Sequence, residues 1–133
     1  MRSLFFSANN FNHDISQWDV SNVRVMEFMF AFNIGFDSNL STWDVSRVTT
    51  MASMFRGARS FDQDLSSWNV ASLTTMEQMF QDAISFNQNL CDWGPRLSST
   101  TIPAVNAFEN TRCPDTSSPN LSATPPGPFC HVC

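Results

Sequence analysis

Apolar and polar positions along this chain recur with one fixed period. Ile15-Ser-Gln-Trp-Asp-Val-Ser-Asn-Val23 returns as Leu40-Ser-Thr-Trp-Asp-Val-Ser-Arg-Val48 and as Leu65-Ser-Ser-Trp-Asn-Val-Ala-Ser-Leu73, and a fourth copy opens at Leu90-Cys-Asp-Trp93 before it breaks. Trp18, Trp43, Trp68 and Trp93 therefore fall 25 residues apart, without insertion or deletion. A period of this size predicts an array of stacked units, each too small to bury its own apolar face. Two patterns follow one another inside a unit. Trp18 and Val20 are two apart, which predicts a strand with one buried face. Val23, Met26, Met29 and Phe30 then follow at spacings of three and four, which predicts a short amphipathic helix. Ser21 and Ser46 stand where they would cap such a helix, and Ala71 has lost the cap.

Strand-then-helix units in a uniform array imply an α/β architecture: a right-handed solenoid with a parallel sheet on one face and short helices on the other. The expected organisation is a repeat array over 1–93, made of a partial unit 1–10, full units 11–35, 36–60 and 61–85, and a partial unit 86–93. A degenerate capping unit follows over 94–112, and a Pro/Ser-rich, cysteine-bearing tail over 113–133. Leu97, Ile102, Val105 and Phe108 predict one last irregular helix in the cap, with Thr101 as its N-cap and Pro103 in its first turn. Phe5, Phe30, Phe55 and Phe80 form one predicted aromatic ladder, and Phe11, Phe36, Phe61 and Phe86 a second. All seven methionines occupy two columns, which reads as stacked core. Met1 falls in the column of Met26, Met51 and Met76, so the chain is expected to be a piece of something longer, with any targeting segment upstream.

The pattern I/L-x-x-W-x-V-x-x-V/L follows the leucine-rich-repeat skeleton, with Trp in the second apolar place. The stretch Phe61-Asp-Gln-Asp-Leu-Ser-Ser-Trp-Asn-Val-Ala-Ser-Leu-Thr-Thr-Met-Glu-Gln-Met-Phe80 resembles the BspA-like surface-protein repeat, also known as a domain of unknown function in mycoplasma lipoproteins. The resemblance covers residues 1–93. Ala71, Arg24, Val25 and Asn33 depart from the family pattern. It implies a leucine-rich-repeat-like module displayed outside a cell for adhesion or protein recognition, and it carries over no catalytic residue.

Composition narrows the partners. The 133-residue chain has seven basic residues, all Arg, against twelve acidic ones, for a net charge of −5. With no basic cluster, nucleic acid and anionic membrane are poor partners. No apolar run approaches the roughly 18 residues a membrane span needs. Cys91, Cys113, Cys130 and Cys133 all lie near the C-terminus. The expected bridges are Cys91–Cys113 and Cys130–Cys133, the alternatives tying the tail's end back to the cap, and disulfides imply an oxidising compartment. Asn39 and Asn120 open acceptor sequons for glycosylation. The columns Asn12, Asp37, Asp62, Asn87 and Asp14, Asn39, Asp64, Asn89 could hold calcium between units. Their alternative role is to fasten turns.

Two surfaces are candidates for binding. Gln17, Asp19, Thr42, Asp44, Ser67 and Asn69 form a polar, mildly acidic outward face. Val25, Phe28 and Phe32 put apolar groups where the neighbouring units are polar, and Leu4 and Phe5 lie uncovered at the N-terminal end. His13 and His131 have no triad or metal partner by spacing, so no enzyme and no cofactor are expected. The leading expectation is an extracellular or cell-surface module that recognises protein or glycan. The alternative is a structural protein whose copies assemble end to end into fibres or a surface layer.

Overall fold

The computed structural model describes residues 1–97, 99 and 101–133. Each 25-residue unit is built from tight turns. In the first half of the unit the Trp18 amide donates to the Ile15 carbonyl (3.1 Å) and the Val23 amide to Val20 (2.9 Å), with the same pair repeated at Leu40–Trp43 and Val45–Val48 and again at Leu65–Trp68 and Val70–Leu73. Asp and Asn dictate these bends. Asp14 and Asp19 accept the amides of Ser16 and Ser21, two residues on, which is the local bond that lets a short carboxylate replace a backbone acceptor.

The second half alternates its donors. The amides of Met29, Ala31 and Asn33 close turns onto Met26, Phe28 and Phe30, three residues back, while those of Met26, Phe28, Phe30 and Phe32 cross to the carbonyls of Thr50, Ala52, Met54 and Arg56 in the next unit. Every second amide thus holds the turn and every other one holds the neighbour, so the buried donors are all used. The same alternation runs through the units beginning at Ser3, Met51 and Met76.

These bonds overturn the expected α/β leucine-rich-repeat-like solenoid. Among the described residues the one helix is α1, Trp93–Arg96, four residues long. Among the described residues parallel pairing is limited to the isolated bridges Val25 with Thr50 and Thr50 with Thr75, with no sheet. The strand fails because Ile15–Val20 is bent by a turn. The helix fails because the chain passes through a positive φ every four residues, at Phe28 and Phe32 (54° and 57°). Four-residue turn spacing places Met26, Met29 and Phe30 on the inner side, as a helix would, but the local bonds reach three residues back rather than the four of an α-helix. Ser21, expected as a helix cap, instead gives its hydroxyl to Asp19 at 2.6 Å.

Stacking these units makes the core. Phe30, Phe55, Phe80 and Phe108 lie nearly parallel at 5.4–5.6 Å between successive ring centres, and Phe36, Phe61 and Phe86 at 5.9–6.1 Å. Such offset contacts add to the burial of large apolar rings. Within a unit, Phe30 also stacks on Phe36 at 4.0 Å. The methionines from Met26 to Met79 fill the space between the ladders and are fully buried. Each internal tryptophan ties two units: the indole N–H of Trp43, Trp68 and Trp93 donates to the carbonyl of Ile15, Leu40 and Leu65, each at 3.0 Å. Trp18 makes no such bond and is 40 % exposed.

The segment expected to be a capping helix is one more turn unit. Carbonyls of Pro103, Val105, Ala107 and Glu109 accept the amides of Met76, Gln78, Phe80 and Asp82. Asn106 and Asn110 take the positive φ of Gln78 and Asp82 at a separation of 28 rather than 25 residues, so three extra residues precede it. Thr101, expected to cap that helix, is exposed; Ser98 and Thr100, within the same stretch, lie outside the described residues. The expected cystine pairing is also corrected: the bridges are Cys91–Cys133 and Cys113–Cys130. The tail folds back along the last units, with Phe129 accepting the Leu90 amide and Cys130 that of Asp115. Its end is thereby brought beside Cys91. Cys113 is held next to Phe86 by the Arg112 amide and meets Cys130 instead.

Trp68→Phe should cost about 1–3 kcal/mol, the range for leaving the buried Leu40 carbonyl without its donor. Trp18→Phe should cost well under 1 kcal/mol, within about the range of an exposed change. Urea denaturation of both variants measures the difference; equal losses would refute the inter-unit role of the indole.

Candidate functional site

The predicted polar face exists as a surface. Gln17, Asp19, Thr42, Asp44, Ser67 and Asn69 are all exposed and aligned in two columns. Their polar atoms are largely occupied. Thr42 and Ser67 donate hydroxyls to the carbonyls of Ser16 and Ser41, and Asp19, Asp44 and Asn69 accept the amides of Ser21, Ser46 and Ala71. The Ser21 hydroxyl first, then its amide, holds the Asp19 carboxyl below its ordinary range, and Ser46 does the same for Asp44. In Asp14 the Ser16 amide leads.

The columns considered for calcium serve the backbone. Asn12, Asp37 and Asp62 each accept the amide 25 residues on, at 2.8–2.9 Å. Asp14, Asn39, Asp64 and Asn89 each hold the amide two residues on. Among the described residues no three His, Cys, Asp or Glu side chains come together as a metal site. Both sequon asparagines are exposed, and each fastens a turn, Asn39 at Ser41 and Asn120 at Ser122. His13 packs edge-on against Phe11, and His131 lies 3.3 Å from the Asn87 carbonyl. No helix among the described residues is long and apolar enough to cross a membrane.

The residues expected at a contact surface divide between two places. Leu4 and Phe5 belong to the N-terminal end, where Phe5 stacks on Phe11 at 3.9 Å and on Phe30 at 5.5 Å. Val25 is half-buried in its bridge to Thr50. Phe28 is half-buried and Phe32 is 39 % exposed. Phe32 lines an open groove of about 310 Å³ that crosses four units, between the column Ser7, Phe32, Gly57, Asp82 and the column Asn9, Ile34, Arg59, Ile84. Ile34 and Ile84 are 46 % and 55 % exposed. Sequence reasoning missed Ile34, Arg59 and Ile84. The signal was present, because two isoleucines stand at a turn column that opens with Asn9.

Three features unfavourable to folding gather in this part of the first full unit. The positive-φ columns hold Ser3, Phe28, Ser53, Gln78, Asn106 and Ser7, Phe32, Gly57, Asp82, Asn110. Gly, Asn and Asp accept that conformation readily, whereas a bulky side chain there is an outlier. Phe28 and Phe32 are the only aromatics in either column. Phe32 fits because its neighbour is glycine: a Cβ at Gly57 would stand 2.7 Å from the Phe32 ring. Phe6 packs edge-on against that ring at 5.6 Å, and the Arg56 guanidinium lies 5.8 Å from its centre. The third feature is Asn33. It is fully buried with neither amide atom bonded to the protein, in the place that Ala58 and Ala83 fill elsewhere.

Asn33→Ala should therefore stabilise the fold by about 1–3 kcal/mol, the range for an unpaired buried polar group. Chemical denaturation measures it, and a loss of stability would show that the amide is needed. A second expectation concerns acid. Asp14, Asp19, Asp44 and Asp115 titrate lower in the folded chain than their ordinary 3.8. The stability they contribute is present above that value and is lost as pH falls through the folded values. The melting temperature should decline below about pH 4, and the double variant Asp19→Asn, Asp44→Asn should flatten that decline. An unchanged profile would remove these turns from the account of acid stability.

Comparison with curated proteins and with solved structures gives no significant match. The family model described as "Mycoplasma protein of unknown function, DUF285" matches residues 1–112, through the end of the last turn unit, and the chain belongs to that family.

Proposed function

We propose that this chain is a non-catalytic recognition module, displayed outside the cell, that binds protein or glycan through the edge carrying Phe32. The BspA-like resemblance of the repeat agrees with adhesion as its role. The observation that carries the reading is the concentration of unfavourable residues at one edge. Backbone strain of about 1–3 kcal/mol per residue persists where function needs it, and here it falls beside the groove. Two disulfides in a chain of this size support an oxidising compartment.

The fibre alternative has less support. The N-terminal end presents the carbonyls of Arg2, Leu4 and Phe6, whose counterparts Glu27, Met29 and Ala31 each accept an amide. End-to-end growth needs matching donors at the other end. There one of the corresponding donors, the Asn106 amide, is taken by the Ser118 hydroxyl, and Leu121 and Phe129 of the cross-linked tail are buried on the stack.

Probing a glycan array and a panel of extracellular-matrix proteins with wild type and Phe32→Asn tests this proposal. Binding to at least one class that Phe32→Asn abolishes, with its melting temperature equal or higher, is the expected result. Equal binding by both proteins would place recognition elsewhere.

A further inference from the structure

The groove at Phe32 carries a charge pattern that narrows its ligand. Arg59 stands between Ile34 and Ile84 in one column, on consecutive units. It is exposed and forms no ion pair among the described residues, where the salt bridges are Arg2 with Glu27 and Arg96 with Asp92. Arg59 is thus the basic residue of the lining, flanked by aliphatic side chains on a chain of net charge −5. A carboxylate placed there meets a guanidinium fork that matches it geometrically, so the pair sets orientation and specificity more than affinity. The lining also carries one acid, Asp82, whose Oδ1 accepts a hydrogen bond from the Asn110 side-chain amide at 2.8 Å and whose charge directs a ligand carboxylate to the Arg59 side of the groove.

The groove's shape and walls point the same way. It spans four units along the stack, which fits an extended segment better than a compact ligand. Its walls are Ile34, Ile84 and the Phe32 ring, and that ring is already engaged by Gly57, Phe6 and Arg56. A sugar stacks best on an unencumbered aromatic face, and these neighbours cover part of the Phe32 ring, which is 39 % exposed. Aliphatic side chains of a peptide need only the isoleucines and the exposed part of the ring. Phe32, held at a positive φ, lines this groove, and the unpaired Asn33 stands next to it in the chain, between Phe32 and Ile34.

We propose that this groove binds an extended peptide segment with an Asp or Glu flanked by apolar residues, the acid on Arg59 and the apolar side chains against Phe32, Ile34 and Ile84. The proposal rests on the recognition reading above and names its ligand class. Recognition of this kind uses few anchors, with the charge setting specificity and encounter.

The probe is a random dodecapeptide library displayed on phage, selected on the disulfide-intact chain and counter-selected on Phe32→Asn. Enriched peptides are then synthesised and their affinities measured by fluorescence anisotropy. Enrichment of an acidic residue flanked by Leu, Ile or Phe is expected, with Arg59→Glu weakening binding roughly tenfold or more. Ile84→Ser should weaken it as well while the melting temperature holds, which separates lost contact from lost folding. Peptides without acidic preference, affinity indifferent to Arg59→Glu, or no enrichment would each overturn the proposal. A glycan-array signal abolished by Phe32→Asn, together with an empty peptide selection, would sink this inference and leave the recognition reading standing. Silence in the library, the glycan array and the matrix-protein panel would sink both.

Discussion

The fold depends on how each unit divides its backbone amides. In Met26–Asn33, alternate N–H groups close turns within the unit and cross to the next one. This division satisfies a chain that is neither helix nor sheet, and it forces the neighbouring unit to lie in register. Register then fixes everything else. Phenylalanines fall on phenylalanines, methionines fill the gaps, and each internal tryptophan finds the carbonyl 28 residues behind it. A one-residue slip would present inward side chains to solvent and strand the crossing donors together. Repeat length is held constant over the array for that reason, and three extra residues are accommodated only before the last unit, where the tail covers the stack.

The two ends differ in chemistry. At the C-terminal end a segment tied by Cys91–Cys133 and Cys113–Cys130 places Phe129 and Leu121 over the last units. The N-terminal end presents carbonyls, the half-covered Phe5 and Phe11, and Trp18 without its acceptor. In the turn half of each unit the crossing amides donate forward, which leaves the carbonyls of Arg2, Leu4 and Phe6 at the N-terminal end, whereas the Thr49 and Thr74 amides and the tryptophan indoles donate backward.

Much of this was legible in the residues. The period, both phenylalanine ladders and the inward methionine columns follow directly from 25-residue spacing. So does the odd character of Phe28 and Phe32, which stand where other units are polar. The local conformation was not legible. Spacing of three and four is shared by a helix and by successive four-residue turns, and the difference lies in positive φ values that Phe28 and Gln78 do nothing to advertise. Gly57 and Asp82, at the other such column, were the available hint. The cap was misread for the same reason, because Phe108 continues the ladder at a separation of 28 and the insertion hides it. The cystine pairing depended on the path of the tail, which Pro-rich sequence does not specify. At the groove, Phe32 was visible as an exception within its unit. Ile34, Arg59 and Ile84 needed their column compared across units.

On the proposed reading, the first full unit gives up stability at one edge to present a contact surface. Phe32 and Asn33 depart from the residues that their columns favour, and real chains make such departures at functional sites. The most direct measurement is the urea-unfolding free energy of the double variant Phe32→Asn, Asn33→Ala, which restores residues that the positive-φ and alanine columns favour. The account predicts a more stable protein, by about 2 kcal/mol from relieved backbone strain and a removed unpaired amide. A less stable double variant would contradict it, by showing that Phe32 and Asn33 hold the fold together.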